Sequence, residues 1–201
     1  MTDIIPHSIS GIFWEKEEKN RLLTPNLVPG MQVYGEPLIQ IKGVEYRVWD
    51  PYRSKFAAAL MKGVQKPLQF TNKRMLYLGA ASGTTASHFS DIIQEGMIYC
   101  VDVSRRSMRD LLEICKVRQN MIPILADARN PAELAPFLSS VDIIYQDVAQ
   151  PDQTNILLRN IQAFLRHGGL FLLAIKARSI DVVMEPKTVF KEQIALLEKA
   201  G

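Results

Sequence analysis

Beyond residue 73, five short apolar runs recur, each stopping at or close to a glycine, an aspartate or a lysine. The runs are 74–78, 97–101, 122–125, 141–145 and 170–175, and they meet Gly79, Asp102, Asp127, Asp147 and Lys176. Segments with helical periodicity separate them. Strands apolar on both sides, alternating with helices, predict a parallel sheet covered by helices on both faces. Such a sheet presents the carboxyl ends of its strands to a ligand crevice. Five polar or glycine positions at five strand ends therefore predict one site. Ser54 and Ser104 read as N-caps, Pro131 as the first residue of a short helix, and Gly168-Gly169 as a helix terminator. Periodicity places Met108, Leu111, Leu112 and Cys115 inward on one helix, and Phe190, Ile194 and Leu197 inward on the last.

The first 50 residues read differently. Residues 9–14 are β-rich, and residues 38–48 alternate apolar and polar about Lys42-Gly43, which predicts a hairpin. Two domains follow: a small antiparallel β domain over 1–50 and an α/β domain over 51–201. The 201 residues suffice for a core without disulfides. Cys100 and Cys115 lie in apolar surroundings and are expected to be free thiols in a reducing compartment. They have no metal-ligand spacing, so no metal is expected. No apolar run reaches the ~18–20 residues of a membrane span. The start, Met1-Thr2-Asp3-Ile4-Ile5, has no basic–apolar leader pattern, so the expected location is the cytoplasm. A net charge of +3 permits an anionic partner without demanding one.

The turn after the first α/β strand reads Gly79-Ala80-Ala81-Ser82-Gly83-Thr84-Thr85. Small residues admit close backbone approach, and a helix N-terminus suits a carboxylate or phosphate. Gly79, Ala81, Gly83, Thr84 and Thr85 are the candidate contacts. Asp102, with Val103 beside it, ends the next strand, where a carboxylate takes ribose hydroxyls. Asp127-Ala128 would lie beside an adenine. The G-x-G-x-x-G pattern fails at Ala81 and Thr84, and no phosphate-loop lysine is present. A nucleoside with an amino-acid tail, S-adenosylmethionine, fits better than a dinucleotide. Asp147 and Gln150 would face its methionine end.

A lysine ending a buried strand is costly without a partner, and Asp147 on the neighbouring strand is the natural one for Lys176. Lys55 lies just before the sheet, with Arg53 two residues earlier. Lys55, Asp147 and Lys176 are the candidate catalytic set.

Four segments together resemble fibrillarin. They are Trp49-Asp50-Pro51-Tyr52-Arg53-Ser54-Lys55, Tyr77 to Thr85, Asp147-Val148-Ala149-Gln150-Pro151, and Ile175-Lys176-Ala177-Arg178-Ser179-Ile180-Asp181. The resemblance spans essentially the whole chain. Without a Gly/Arg-rich extension, the chain is similar to the archaeal form. The resemblance implies an S-adenosylmethionine-dependent methyltransferase of Rossmann-like fold acting on ribose 2′-hydroxyls of pre-rRNA, and leaves open whether tRNA is a further substrate. It matches Lys55, Asp147 and Lys176 to the family's Lys-Asp-Lys set, and places Asp102 where the family usually has glutamate. A fourth residue and two final strands would follow Ala200-Gly201, so the resemblance implies a C-terminally incomplete sheet. His88 and His167 fall in other motifs and are expected to be structural or exposed.

The resemblance also implies partners: box C/D guide RNA paired to target rRNA, a Nop-family scaffold protein, and a kink-turn-binding ribosomal-type protein. Arg53 and Arg178 are candidate RNA-phosphate contacts. A methyltransferase-fold subunit without activity, or a nicotinamide-dependent oxidoreductase, is the competing expectation. The retained Lys55, Asp147 and Lys176 weigh against the first, and the failed dinucleotide pattern against the second.

Overall fold

A computed structural model describes residues 4–16, 21–64 and 68–201. Residues 1–3, on which part of the leader reading rests, lie outside the described residues. The chain begins with strands β1 (Ile4–Pro6), β2 (Phe13–Glu15), β3 (Leu22–Pro25), β4 (Leu38–Ile41) and β5 (Val44–Trp49). They form one antiparallel sheet in the order β1-β2-β3-β5-β4. The predicted hairpin joins β4 to β5. Lys42 and Gly43 both take positive φ, as a tight two-residue turn requires.

Helix α1 (Lys55–Met61) follows, with the Ser54 hydroxyl accepting from the Ala57 amide at its N-terminus. The second sheet is built by β6 (Arg74–Leu78), α2 (Thr84–Ile92), β7 (Met97–Asp102), α3 (Arg105–Val117), β8 (Met121–Leu125), β9 (Val141–Gln146), α4 (Gln153–Phe164) and β10 (Leu165–Leu173). A 3-10 turn at Pro131–Glu133 precedes β9, and α5 (Ala177–Ile180) and α6 (Pro186–Ala200) end the chain. The strands run parallel in the order β10-β9-β6-β7-β8. The chain enters at the central β6, moves out through β7 and β8, and returns to β9 on β6's other side. The β6–β9 boundary is therefore the switch point where a crevice opens.

Alternation along the strands sorts the core. Met75, Tyr77, Ile98, Cys100, Ile143 and Tyr145 face α1, α2 and α3. Leu76, Leu78, Tyr99, Val101 and Ile144 face the side of α4, with Leu157, Phe164 and Leu197. Ile9, Ile12, Leu22 and Trp49 of the N-terminal segment belong to the first of these clusters. The N-terminal sheet's other face holds Leu23, Ile41, Tyr46 and Val48. Cys100 is buried and Cys115 half-buried, both free thiols. Burial pushes both thiols up, Cys115 to about 11.

Three local expectations need correction. The helix expected to stop at Gly168-Gly169 stops at Phe164, and the glycine pair lies inside β10, where the register against β9 shifts. Helix α3 buries Met108, Leu111 and Ile114, leaving Leu112 exposed. Helix α6 buries Val189 and Gln193, while Phe190 and Ile194 stay 38% and 48% exposed. A hydrogen bond from the Thr154 hydroxyl of α4 to Gln193 Oε1, at 2.6 Å, fixes that rotation. Side-chain pairing thus overrides the apolar stripe.

A charged cluster with fully buried side chains locks the N-terminal sheet onto α2 and α3. Asp91 of α2 accepts from Arg47 Nη1 of β5 at 2.7 Å and from Arg118 Nη1 beyond α3 at 2.6 Å. It also accepts from the Thr24 hydroxyl at 2.8 Å and the Leu27 amide at 3.1 Å. Arg47 donates further to Glu36 at 2.6 Å and to the Ser87 hydroxyl at 2.9 Å. Burial alone would raise the Glu36 carboxyl, but Arg47 and the amides of Tyr34 and Val33 hold it down. His88 joins the cluster as a structural residue, with Nδ1 2.8 Å from Thr24 Oγ1 and Nε2 2.8 Å from Tyr34 Oη. Its ring stacks on Trp49 at 4.7 Å. Burial first, then Arg47 and Arg118, hold the imidazole well below its ordinary value.

Two predictions follow from this cluster. Asp91→Ala leaves the buried Arg118 guanidinium without its carboxylate and Arg47 with Glu36 alone. It should cost about 3–5 kcal/mol, read as a lower urea midpoint. His88 is neutral when folded and protonates when unfolded, so the unfolded chain binds more protons as pH falls. Stability should fall below pH ~6.5, the His88 contribution approaching about 1.4 kcal/mol per pH unit. His88→Gln should remove that contribution from the midpoint-versus-pH curve, and an unchanged curve would refute it.

Candidate functional site

The turn between β6 and α2 is shaped by three left-handed residues: Gly79 (φ 83°), Ala81 (φ 49°) and Gly83 (φ 89°). The Gly79 and Ala80 amides both donate to the Val101 carbonyl. A Cβ on Gly79 would fall 2.8 Å from the Asp147 carbonyl oxygen, so only glycine lets β6 and β9 end this close together. Gly83 is the N-cap of α2, with no side chain satisfying the first-turn amides. Those amides remain available to a ligand. A Cβ on Gly83 would meet Leu111 and Ile114 at 2.9 Å. Gly83 itself lies behind the crevice, where it lets α3 pack under the turn.

The crevice at the switch point has a volume of about 430 Å³, within the size range of small-molecule sites. Gly79, Ala81, Thr84 and Thr85 line one side, and Asp102 and Val103 follow at the end of β7. Asp127 and Ala128 lie beyond β8, Asp147 and Gln150 beyond β9, and Lys176 beyond β10. Lys55 and Arg53 close it from the N-terminus of α1. All the sequence-predicted positions meet here except Gly83 and Arg178. The Arg178 guanidinium donates instead to the Val182 carbonyl on the exposed loop after α5.

Asp102 accepts from the Ala81 amide through Oδ2 and from the Ser104 amide through Oδ1, both at 2.8 Å. Each oxygen keeps a second lone pair. The carboxylate thus holds the turn and retains acceptor capacity for ribose hydroxyls. Asp127 is more committed. Hydrogen bonds from the Arg129 side chain and amide hold its carboxyl below the usual range. A ligand edge at that position meets the backbone around Ala128 and an already paired carboxylate.

The lysines converge on one aspartate. Lys55 Nζ donates to Asp147 Oδ2 at 2.9 Å. Lys176 Nζ donates to the Asp147 carbonyl at 2.8 Å and lies 3.0 Å from Oδ1. Oδ1 is buried and receives no well-aligned hydrogen bond, so the Lys176 contact is ionic there. The lysines differ in access: the Lys55 side chain is 51% exposed and that of Lys176 26%.

Sequence reading missed two contributors. Tyr77 lines the floor, its phenol pushed well up by burial and then by Tyr145 and Asp147. It was legible only as a strand residue. Gln153 fastens the ends of β9 and β10. Its Oε1 accepts from the Lys176 amide at 2.8 Å and its Nε2 donates to the Gln150 carbonyl at 3.0 Å. Its carbonyl accepts from Gln146 at 2.6 Å. Nothing in the sequence distinguishes this glutamine from an exposed one. Among the described residues, no group of three His, Cys, Asp or Glu side chains is placed to hold a metal ion.

Comparison with known proteins agrees with this geometry. A fibrillarin-like rRNA/tRNA 2′-O-methyltransferase of Methanopyrus kandleri is 49% identical over 203 residues, covering 99% of this chain and 88% of that protein. An Aeropyrum pernix fibrillarin, solved with natively bound S-adenosyl-L-methionine, superposes with a TM-score of 0.87 at 48% identity, covering 100% of this chain and 90% of that one. A fibrillarin in complex with Nop5p superposes at 0.86 with 40% identity, covering 96% and 88%. The family model described as Fibrillarin matches residues 4–201, and the chain belongs to the fibrillarin family.

Proposed function

We propose that this chain transfers the methyl group of S-adenosylmethionine to ribose 2′-hydroxyls of rRNA and tRNA, as a fibrillarin-like 2′-O-methyltransferase. The observation that carries the reading is the convergence of Lys55 and Lys176 on Asp147 beside the Gly79 turn. A crevice of about 430 Å³ with open helix amides on one side, Asp102 at the end of β7 and Ala128 beyond β8 suits a nucleoside with an amino-acid tail. That cofactor supplies a sulfonium methyl group.

The protein's part is positioning and proton handling. The 2′-hydroxyl must approach in line with the donated methyl group, so fixing its place supplies much of the rate. Asp147 holds both lysine ammonium groups at the crevice mouth. Lys176 is the less exposed of the two: as the ammonium it shields the charge developing on the 2′-oxygen, and only as the neutral amine does its Nζ take the hydroxyl proton. Lys55 and Arg53 neutralise neighbouring phosphate oxygens.

A net charge of +3 gives modest, salt-sensitive RNA affinity. Target choice therefore belongs to an assembly: box C/D guide RNA, a Nop-family scaffold and a kink-turn-binding ribosomal-type protein. The partner in the Nop5p complex of a relative supports the scaffold. In this reading the reaction occurs in the cytoplasm of an archaeal cell. Among the described residues, no helix is long and apolar enough to cross a membrane.

The test is transfer of tritiated methyl into guide-matched RNA in the reconstituted particle. Lys176→Met should lower transfer by about 100-fold or more, the usual weight of one proton-transfer group. Its S-adenosylmethionine affinity should be unchanged by calorimetry. Full transfer by Lys176→Met would remove the assignment. Gly79→Ala should act earlier, pushing the Asp147 backbone away. It should weaken cofactor binding by about tenfold or more, the equivalent of one lost close contact.

A further inference from the structure

A second groove of about 490 Å³ adjoins the crevice and shares Arg53 with it. Tyr34, Trp49, Tyr52 and Met61 are among its walls. Tyr52 is 96% exposed, so its ring packs on nothing in this chain. Its backbone is nevertheless fixed, since its amide donates to Asp50 Oδ1 at 2.8 Å and the Arg53 amide to the Asp50 carbonyl at 3.1 Å. Arg53 sits over the Tyr34 ring at 5.7 Å, and no carboxylate among the described residues pairs with it. A cation held on a ring face keeps its charge and its donors available. Tyr34 is itself anchored, through hydrogen bonds with the Val48 carbonyl and His88. An aromatic ring displayed to solvent, beside an unneutralised guanidinium and three residues from Lys55, is the combination that takes a sugar–phosphate chain.

We propose that Tyr34, Tyr52 and Arg53 form a backbone subsite for the RNA strand next to the methylated nucleotide. Arg53, oriented by Tyr34, takes the flanking phosphate, and the Tyr52 ring packs on the adjoining ribose. An A-form guide–target duplex exposes its 2′-hydroxyls and riboses along a wide, shallow minor groove, which such a lip can reach. The inference rests on the methyltransferase reading and names where that reaction grips its substrate.

The experiment uses the full chain in the reconstituted particle with a guide-matched target oligoribonucleotide. Tyr52→Ala should raise KM for that RNA roughly tenfold, the effect of one lost stacking or packing contact, with kcat at saturating RNA unchanged. Tyr52→Phe should restore the wild-type KM. Arg53→Gln should reduce the slope of log affinity against log salt by about one. Affinity for S-adenosylmethionine should be the same as wild type in both Tyr52 variants, since Tyr52 is not among the residues lining the crevice. An unchanged KM in Tyr52→Ala together with an unchanged salt slope in Arg53→Gln would overturn the subsite while leaving the methyltransferase reading in place. Loss of scaffold-protein binding by these variants in the absence of RNA would make the groove a protein contact and overturn it too. If the wild-type particle transfers no methyl group to RNA, the underlying reading fails first.

Discussion

Asp91 is the acceptor on which the rest of the molecule is assembled. It sits on α2, the helix whose N-terminus opens the crevice, and binds one arginine from each side of the fold. Arg47 comes from the N-terminal sheet and Arg118 from the end of α3. Burying four charged side chains gains little net stability over an apolar core. What the cluster supplies is geometry, since guanidinium–carboxylate contacts accept few alternative arrangements. With Glu36 included, two guanidinium groups meet two carboxylates. The neutral His88 ring, stacked on Trp49, links the cluster to the segment that carries Asp50, Arg53 and Lys55.

That placement makes the N-terminal sheet part of the site's support. The sheet's inner residues share one apolar cluster with β6, β7 and β9. Lys55 and Arg53 follow directly from its last strand through a turn that begins at Asp50. The proposed catalytic set therefore draws one lysine from outside the parallel sheet and one from just beyond its edge strand β10. Both are measured against an aspartate on the strand between.

Much of this was legible from the sequence. The five strand ends were readable because buried parallel strands leave continuous apolar runs, and a run's end is where polarity returns. The residues Gly79, Asp102, Asp147 and Lys176 follow from that rule alone. The Lys42-Gly43 hairpin was readable because residues 38–48 alternate apolar and polar on either side of it. Buried polar side chains whose partners lie far along the chain left no such signature. Gln153 and Gln193 look like surface residues in sequence, and their partners lie 23 and 39 positions away. The rotation of α6 was misread for the same reason, because one buried polar pair outweighed two apolar side chains. Asp91, Arg47 and Arg118 carry no pattern at all, since charge pairing across 44 and 27 positions has no period.

Asp147 does two jobs through two parts of one residue. Its carbonyl oxygen sits where a Cβ on Gly79 would collide, and the same oxygen accepts from Lys176. Its carboxylate receives Lys55 and faces Lys176. The close approach of β6 to β9, which gives the crevice its floor, is therefore also what sets the height of both lysines above it. Moving the turn moves the lysines. The Asp147 amide donates to the Leu78 carbonyl at 2.9 Å, so the parallel ladder itself carries the constraint to the last residue before the glycine. Gln153 repeats the arrangement one strand further out, tying the Lys176 amide to the Gln150 carbonyl. The crevice floor and the Asp147 anchor of both lysines are thus set by the same β6–β9 backbone ladder. A substitution that disturbs the ladder at β6 or β9 acts on binding and on chemistry together. In the proposed mechanism, one at Lys176 Nζ, beyond the ladder, acts on chemistry.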